Sequence, residues 1–205
     1  MAMRVLNLYA GLGGNRQLWR GCEVTAVEYD PKIAALYERF YPKDKVIIGD
    51  AHQYLLEHSS EYDFIWSSPP CQSHSRMIRS GRNRKPRYPD MQLYEEILYL
   101  MHSYKGLWIV ENVVPYYGVL LPATKIGRHL FWSNFTITAQ DIKRPRGFIK
   151  QVGKKALQEW LGIHYKENIY YGNNHCPAQI LRNCVHPLLG EQVYQCAVAH
   201  LDAAL

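Results

Sequence analysis

No stretch of this sequence stays apolar for the roughly 18 residues that a membrane-spanning helix needs. The opening "MAMRVLNLYAG" runs straight into a strand-like segment, so neither a signal peptide nor a transmembrane helix is expected, and the cytoplasm is the expected location. There are 5 cysteines, an odd count without close paired spacing, which argues against a disulfide framework and for free thiols. A zinc set drawn from His175, Cys176, Cys184, His186, Cys196 and His200 fits no regular ligand pattern, so no metal is expected. Internal repeats and low-complexity tracts are also missing. Acids are scarce: 18 stand against 24 Lys and Arg, a net charge of +6 that suits a polyanionic partner where the bases cluster. They do cluster, because Arg76 to Arg87 holds six basic residues and no acid.

What is present is an alternation. Apolar runs at 4–10, 23–29, 45–50, 62–68 and 106–113 read as strands. Between them, residues 15–21, 30–41, 51–60 and 90–105 read as helices, the last with Leu93, Ile97, Leu100 and Tyr104 at helical spacing. Strands alternating with helices imply an α/β domain with a mostly parallel central sheet and helices on both faces. Residues 120–138 read as two further strands joined by a turn. After Thr138 the composition turns basic and polar, so a small basic insert is expected at 139–180. A closing segment at 181–205, with Val193, Ala197 and Leu201 on one helical face, is expected to return to the first domain, 1–138.

In an open parallel sheet ligands sit at the carboxyl ends of the strands. The first strand ends in "YAGLGG" (9–14), a turn permitting close backbone approach, followed by the N-terminus of the expected helix. The second ends in Glu28, suited to two ribose hydroxyls, and the third in Asp50, suited to an adenine amino group or a helix cap. A glycine turn and two acids in this order suit an adenosyl cofactor. The turn lacks the third glycine of the dinucleotide fingerprint, which argues against NAD. The fourth strand ends in "SSPPC", which puts Cys71 past two prolines that fix the backbone, beside arginines (and His74) that would favour its thiolate. The fifth ends in "ENV": Glu111 follows an apolar run, and desolvation would let it hold a proton near neutrality.

"YAGLGG", "VEYDP", "GDA", "SSPPCQS" and "ENV", in that order, resemble the cytosine-C5 DNA methyltransferase family. The resemblance implies a Rossmann-like class I S-adenosylmethionine-dependent methyltransferase fold. It implies S-adenosylmethionine bound by Tyr9, Gly11, Gly13, Asn15, Glu28 and Asp50, with Pro70 beside it positioning the base. Cys71 would be the nucleophile and Glu111 the acid, with Asn112 orienting the loop. The family also carries an arginine pair on a late strand. Here "KIGRHLFWSNF" keeps Arg128, and His129 or Lys125 stands in for its partner.

The implied reaction needs Cys71 to add to C6 of a cytosine, so that C5 can take a methyl group. The base would be flipped out of duplex DNA, the expected partner. Gln72, Ser73, Arg76, Arg79, Arg82 and Arg84, with the rest of the 73–89 loop, would contact the nucleic acid and close over the site. The basic 143–155 stretch is either a reduced target-recognition element or a surface turn. RNA or a free cytidine nucleotide is the alternative substrate, and a weakly active nucleic-acid-binding module the alternative class.

Overall fold

The computed structural model describes residues 2–79, 87–149, 151–170 and 176–203. Seven strands make one sheet: β1 (Met3–Leu8), β2 (Cys22–Glu28), β3 (Lys45–Ile48), β4 (Phe64–Ser67), β5 (Leu107–Val113), β6 (Thr124–Ile126) and β7 (His129–Ser133). Their order across the sheet is β3-β2-β1-β4-β5-β7-β6. The first five strands pair in parallel, whereas β7 runs antiparallel to both β5 and β6. This is a Rossmann-like, doubly wound α/β arrangement with one antiparallel strand. The strand order reverses between β1 and β4, which opens a crevice at their carboxyl ends.

The helices are α1 (Pro31–Phe40), α2 (Ala51–His58), α3 (Gln92–Ser103), α4 (Lys154–Leu161), α5 (Gln179–Asn183) and α6 (Pro187–Ala203). The central strands are covered on both faces, as a parallel sheet requires. Val5, Phe64, Trp66, Ile109 and Phe131 pack with Val193, Tyr194 and Ala197 of α6. Leu6, Leu8, Ile65 and Val110 point the other way, onto Leu55 of α2 and Leu93, Ile97 and Leu100 of α3. A further cluster joins Leu12, Ile33 and Leu36 to Phe148, Leu157, Leu161 and Leu181, which ties α4 and α5 to the α1 side. Among the described residues no helix is long and apolar enough to cross a membrane, and no group of three His, Cys, Asp or Glu could hold a metal ion. None of the five cysteines is joined in a disulfide.

The expected helix at 15–21 does not form. Consecutive turns replace it, with hydrogen bonds from Arg16 N to Gly13 O and from Trp19 N to Arg16 O. Its side chains are claimed instead by partners distant in the chain. Asn15 turns inward to donate to Asn7 Oδ1 at 2.8 Å, and Arg16 grips Asp44 through both Nε and Nη2. Trp19 stacks on Tyr194 at 5.2 Å and donates its indole N–H to Gly190 O. The glycine turn is therefore not followed by a helix N-terminus.

Trp19 links this turn segment, the sheet and α6, which sets a stability test. Trp19→Ala is expected to lose about 3–5 kcal/mol by chemical denaturation, because it removes a fully buried ring from a three-way contact. Tyr88→Ala, at a 96% exposed position, is expected to change stability by less than about 0.5 kcal/mol. Equal losses from the two would contradict this packing.

Candidate active site

The crevice at the strand ends is a cleft of about 320 Å³, at the small end of the range for organic ligands. It is lined at one end by Tyr9, Gly11, Asn15, Glu28, Tyr29 and Asp50, and at the other by Pro70, Cys71, Gln72, Glu111, Arg128 and His129.

At the first end, β1 hands over to a turn that begins with a strained residue. Tyr9 has φ 54°, a left-handed conformation that costs a non-glycine residue roughly 1–2 kcal/mol. Its hydroxyl donates to Glu96 Oε1 at 2.5 Å, which fixes the ring. Gly11 donates its N–H to Glu28 Oε2, and Asp30 N donates to Oε1, both at 2.9 Å. Glu28 is thereby aimed into the cleft from the end of β2, and burial raises its pKa against these backbone hydrogen bonds. Asp50 caps α2 by accepting from Gln53 N at 3.0 Å, and it also lines the cleft. Asp30 caps α1 in the same way, with Pro31 as the first helical residue.

Gly13 is not part of the lining. It has φ 70°, and a Cβ there would run into the Tyr41 and Tyr37 rings. Its place in the motif comes from packing, and its carbonyl accepts from Tyr41 Oη at 2.8 Å. Asn15 lines the cleft, although its amide is committed to Asn7. The sequence reading missed Tyr29, whose ring is 79% exposed at the cleft. Its signal was an aromatic directly after the strand-end acid.

At the second end, Asn112 controls where the loop after β4 goes. Its buried Nδ2 donates to Pro69 O at 3.0 Å, and its Oδ1 accepts from Val113 N. Asn112 holds the loop and is not free to bind substrate. Glu111, its neighbour on β5, is buried and pairs across to β7, where His129 Nδ1 lies 2.6 Å from Glu111 Oε1. Of the two residues expected to stand in for the missing arginine, His129 is thus the one at the cleft. Lys125 lies on the edge strand β6, exposed and outside the lining.

Arg128 lines the cleft, but its Nη2 donates to the carbonyls of Arg182 and Cys184 at 2.9 and 3.0 Å. Its guanidinium also sits 5.3 Å from the Phe148 ring centre. It clamps the segment after α5 to the sheet as well as facing Cys71.

The expectation of an acidified thiol fails in this state. Cys71 is pushed up to about 11, first by burial and then by the charge of Glu111, with Arg128 and a backbone hydrogen bond acting in the opposite direction. Arg76 is exposed and donates to Pro115 O at 3.3 Å. Arg82 and Arg84 lie outside the described residues, as does the side chain of Arg79. His74 is buried and held below its ordinary pKa by that burial, so it adds no charge. Ser73 Oγ accepts from Asp90 N at 2.9 Å, and Tyr116 N donates to His74 O. Ser73, His74 and Arg76 therefore pin the base of the loop, while Gln72 lines the cleft, alone among the described members of the loop's expected contact residues.

The family model described as C-5 cytosine-specific DNA methylase matches residues 3–115. No curated protein matches the sequence. Among solved structures, a mutant form of Spodoptera frugiperda DNMT2 is 17% identical at TM-score 0.46, covering 82% of this chain and 60% of that chain. A hypothetical protein of Thermus thermophilus is 17% identical at TM-score 0.44, covering 68% of this chain and 75% of that chain. An S-adenosylmethionine-dependent methyltransferase from Agrobacterium tumefaciens is 19% identical at TM-score 0.40, covering 57% of this chain and 40% of that chain.

The charges around Cys71 predict its reactivity. Near pH 8, about one thiol in a thousand is ionised when the pKa is about 11. Because the Glu111 charge raises the thiol pKa, Glu111→Gln lowers it. Alkylation of Cys71 by iodoacetamide at pH 8, followed on its own peptide by mass spectrometry, is expected to quicken about three- to tenfold. An unchanged rate would contradict the coupling between the two groups.

Proposed function

The chain belongs to the C-5 cytosine-specific DNA methylase family, and from that premise we propose that it methylates C5 of cytosine in DNA through a covalent bond between Cys71 and C6 of the base. The observation that carries this reading is the meeting of Cys71, Glu111 and His129 in one cleft whose other end suits an adenosyl group. The cofactor is S-adenosylmethionine, which when bound supplies an electrophilic methyl group.

Several features of the cleft support the cofactor's fit. Glu28 accepts backbone N–H groups of Gly11 and Asp30, one on each oxygen, and with about four lone-pair sites its carboxylate keeps capacity for a ribose hydroxyl. Asp50 has a second oxygen outside its helix cap. Tyr29 offers an exposed ring face for stacking.

The chemistry assigned to this chain's residues is as follows. The thiol needs somewhere to send its proton, and the Glu111 carboxylate that raises its pKa can take it. With Glu111 neutral and Arg128 still charged, the thiolate is favoured. Cys71 then adds to C6, and Glu111 gives its proton to N3 as negative charge develops on the ring. His129, in the tautomer that carries its proton on Nδ1, then donates to the carboxylate left behind. C5 takes the methyl group and then gives its proton to a water molecule, its electron pair forming the C5–C6 double bond. The C6–sulfur bond breaks, Cys71 leaves as thiolate, and the N3 proton returns to Glu111. Reaching C6 requires the base to leave the stack, at roughly a few kcal/mol. The basic 76–87 segment would offset that cost through phosphate contacts. Residues 139–180, small and basic, would read few bases.

The test is incubation with tritiated S-adenosylmethionine and duplex DNA, RNA or CMP in parallel. Label at C5 of DNA cytosine is expected. It should vanish with Cys71→Ala and fall by about two orders of magnitude in kcat with His129→Ala. Label confined to RNA or to CMP would replace the proposed substrate, and full labelling by Cys71→Ala would overturn the covalent route.

A further inference from the structure

Behind the cofactor end of the cleft lies a carboxylate that the reaction above does not use. Glu96, on α3, has no exposed side-chain surface. Three donors converge on it: Tyr9 Oη at 2.5 Å, Ser67 Oγ at 2.6 Å and His52 Nδ1 at 3.1 Å. Tyr9 and Ser67 stand at the carboxyl ends of β1 and β4, the two strands between which the crevice opens. One buried group therefore anchors both walls of the switch point. A carboxyl surrounded by donors acts as an acceptor, and an uncompensated buried charge is costly, so its counter-charge matters. The cation within reach is His52 on α2, only partly exposed. Its other ring nitrogen is 3.7 Å from Glu95 Oε2, and Asp50 also acts on it from the cap of its own helix.

We infer that Glu96, with His52 as its switchable counter-charge, is a positioning residue that makes the cleft prefer the positively charged S-adenosylmethionine over the thioether product, which lacks the sulfonium charge. The inference rests on the reading that Tyr9, Glu28 and Asp50 surround the cofactor. Tyr9 separates Glu96 from the cleft, so the carboxylate acts through space on the ligand and through its hydrogen bond on the Tyr9 ring. A cationic ligand gains from that field and a neutral one does not. Protonated His52 cancels the field, and neutral His52 leaves it standing. The hydrogen bond to Glu96 raises the His52 pKa above its ordinary value, against burial. The imidazolium consequently persists to higher pH than for a free histidine, and the preference for the cationic ligand grows as pH rises through that raised value.

The test is calorimetric binding of S-adenosylmethionine and S-adenosylhomocysteine, separately, from about pH 6 to about pH 9. In the unmodified protein the ratio of their affinities is expected to shift toward S-adenosylmethionine by about three- to tenfold as pH rises. Glu96→Gln keeps the shape and the Tyr9 and Ser67 partners but removes the charge, so its ratio should lie below that of the unmodified protein throughout, and its remaining change with pH should move down as His52 loses the partner that raises its pKa. His52→Gln leaves the carboxylate uncompensated, so its ratio should be high and flat. Titration of the ligands' own amino groups is common to all three proteins and cannot produce this divergence. A ratio in Glu96→Gln that matches the unmodified protein at every pH would overturn the inference, as would a pH-independent ratio in the unmodified protein. If neither compound bound, the cofactor reading of the cleft would fall together with it. Binding of both at a constant ratio would sink this inference alone.

Discussion

The contact on which the site depends is the hydrogen bond from Asn112 Nδ2 to the Pro69 carbonyl. It joins the end of β5 to the loop leaving β4, two segments that otherwise diverge at the edge of the crevice. Pro69 and Pro70 limit the backbone on one side, and the β4–β5 pairing, Ser67 against Val110, limits it on the other. With the loop held there, Cys71 faces Glu111, the residue just before Asn112 in the chain. Without it, the thiol and the carboxylate would belong to separate pieces of surface.

A second constraint sits across the sheet. β7 runs antiparallel to β5, so Glu111 lies opposite Phe131 and Val113 opposite His129. In this register the imidazole of His129 reaches back to Glu111 Oε1. A parallel strand in this place would need a long crossover. The short hairpin through Gly127, at φ 57°, delivers the same end of the sheet with few residues. The C-terminal segment then closes the crevice from the other side, because Arg128 holds the carbonyls of Arg182 and Cys184.

The pattern of apolar runs was enough to reveal the sheet, the parallel pairing of its first strands, and α1 to α3. It was enough because the central strands are buried on both faces and each of these helices on one, a local property that periodicity reports. The strand-end residues Glu28, Asp50, Cys71 and Glu111 were legible for the same reason, as polar groups stationed where apolar runs stop. What was not legible depends on partners distant in sequence. Residues 15–21 have helical composition, yet Trp19 is claimed by Tyr194 and Arg16 by Asp44. Gly13 looked like a cofactor contact, and its conformational need comes from the Tyr37 and Tyr41 rings. The thiol was expected to be acidified by a basic loop, but burial and Glu111 outweigh Arg128. Glu96 gave no local signal, since its role is set by donors from β1, β4 and α2 that only folding assembles.

The central claim is that the Cys71 sulfur bonds to a pyrimidine carbon. Its most direct measurement is mass spectrometry of the protein after incubation with S-adenosylmethionine and duplex DNA carrying 5-fluorocytosine, whose C5 fluorine blocks the final elimination. The account predicts a stable adduct, with the mass of one methylated strand, on the peptide that contains Cys71. An adduct on another cysteine, or methyl transfer to ordinary cytosine while the fluorinated strand never becomes attached, would contradict it.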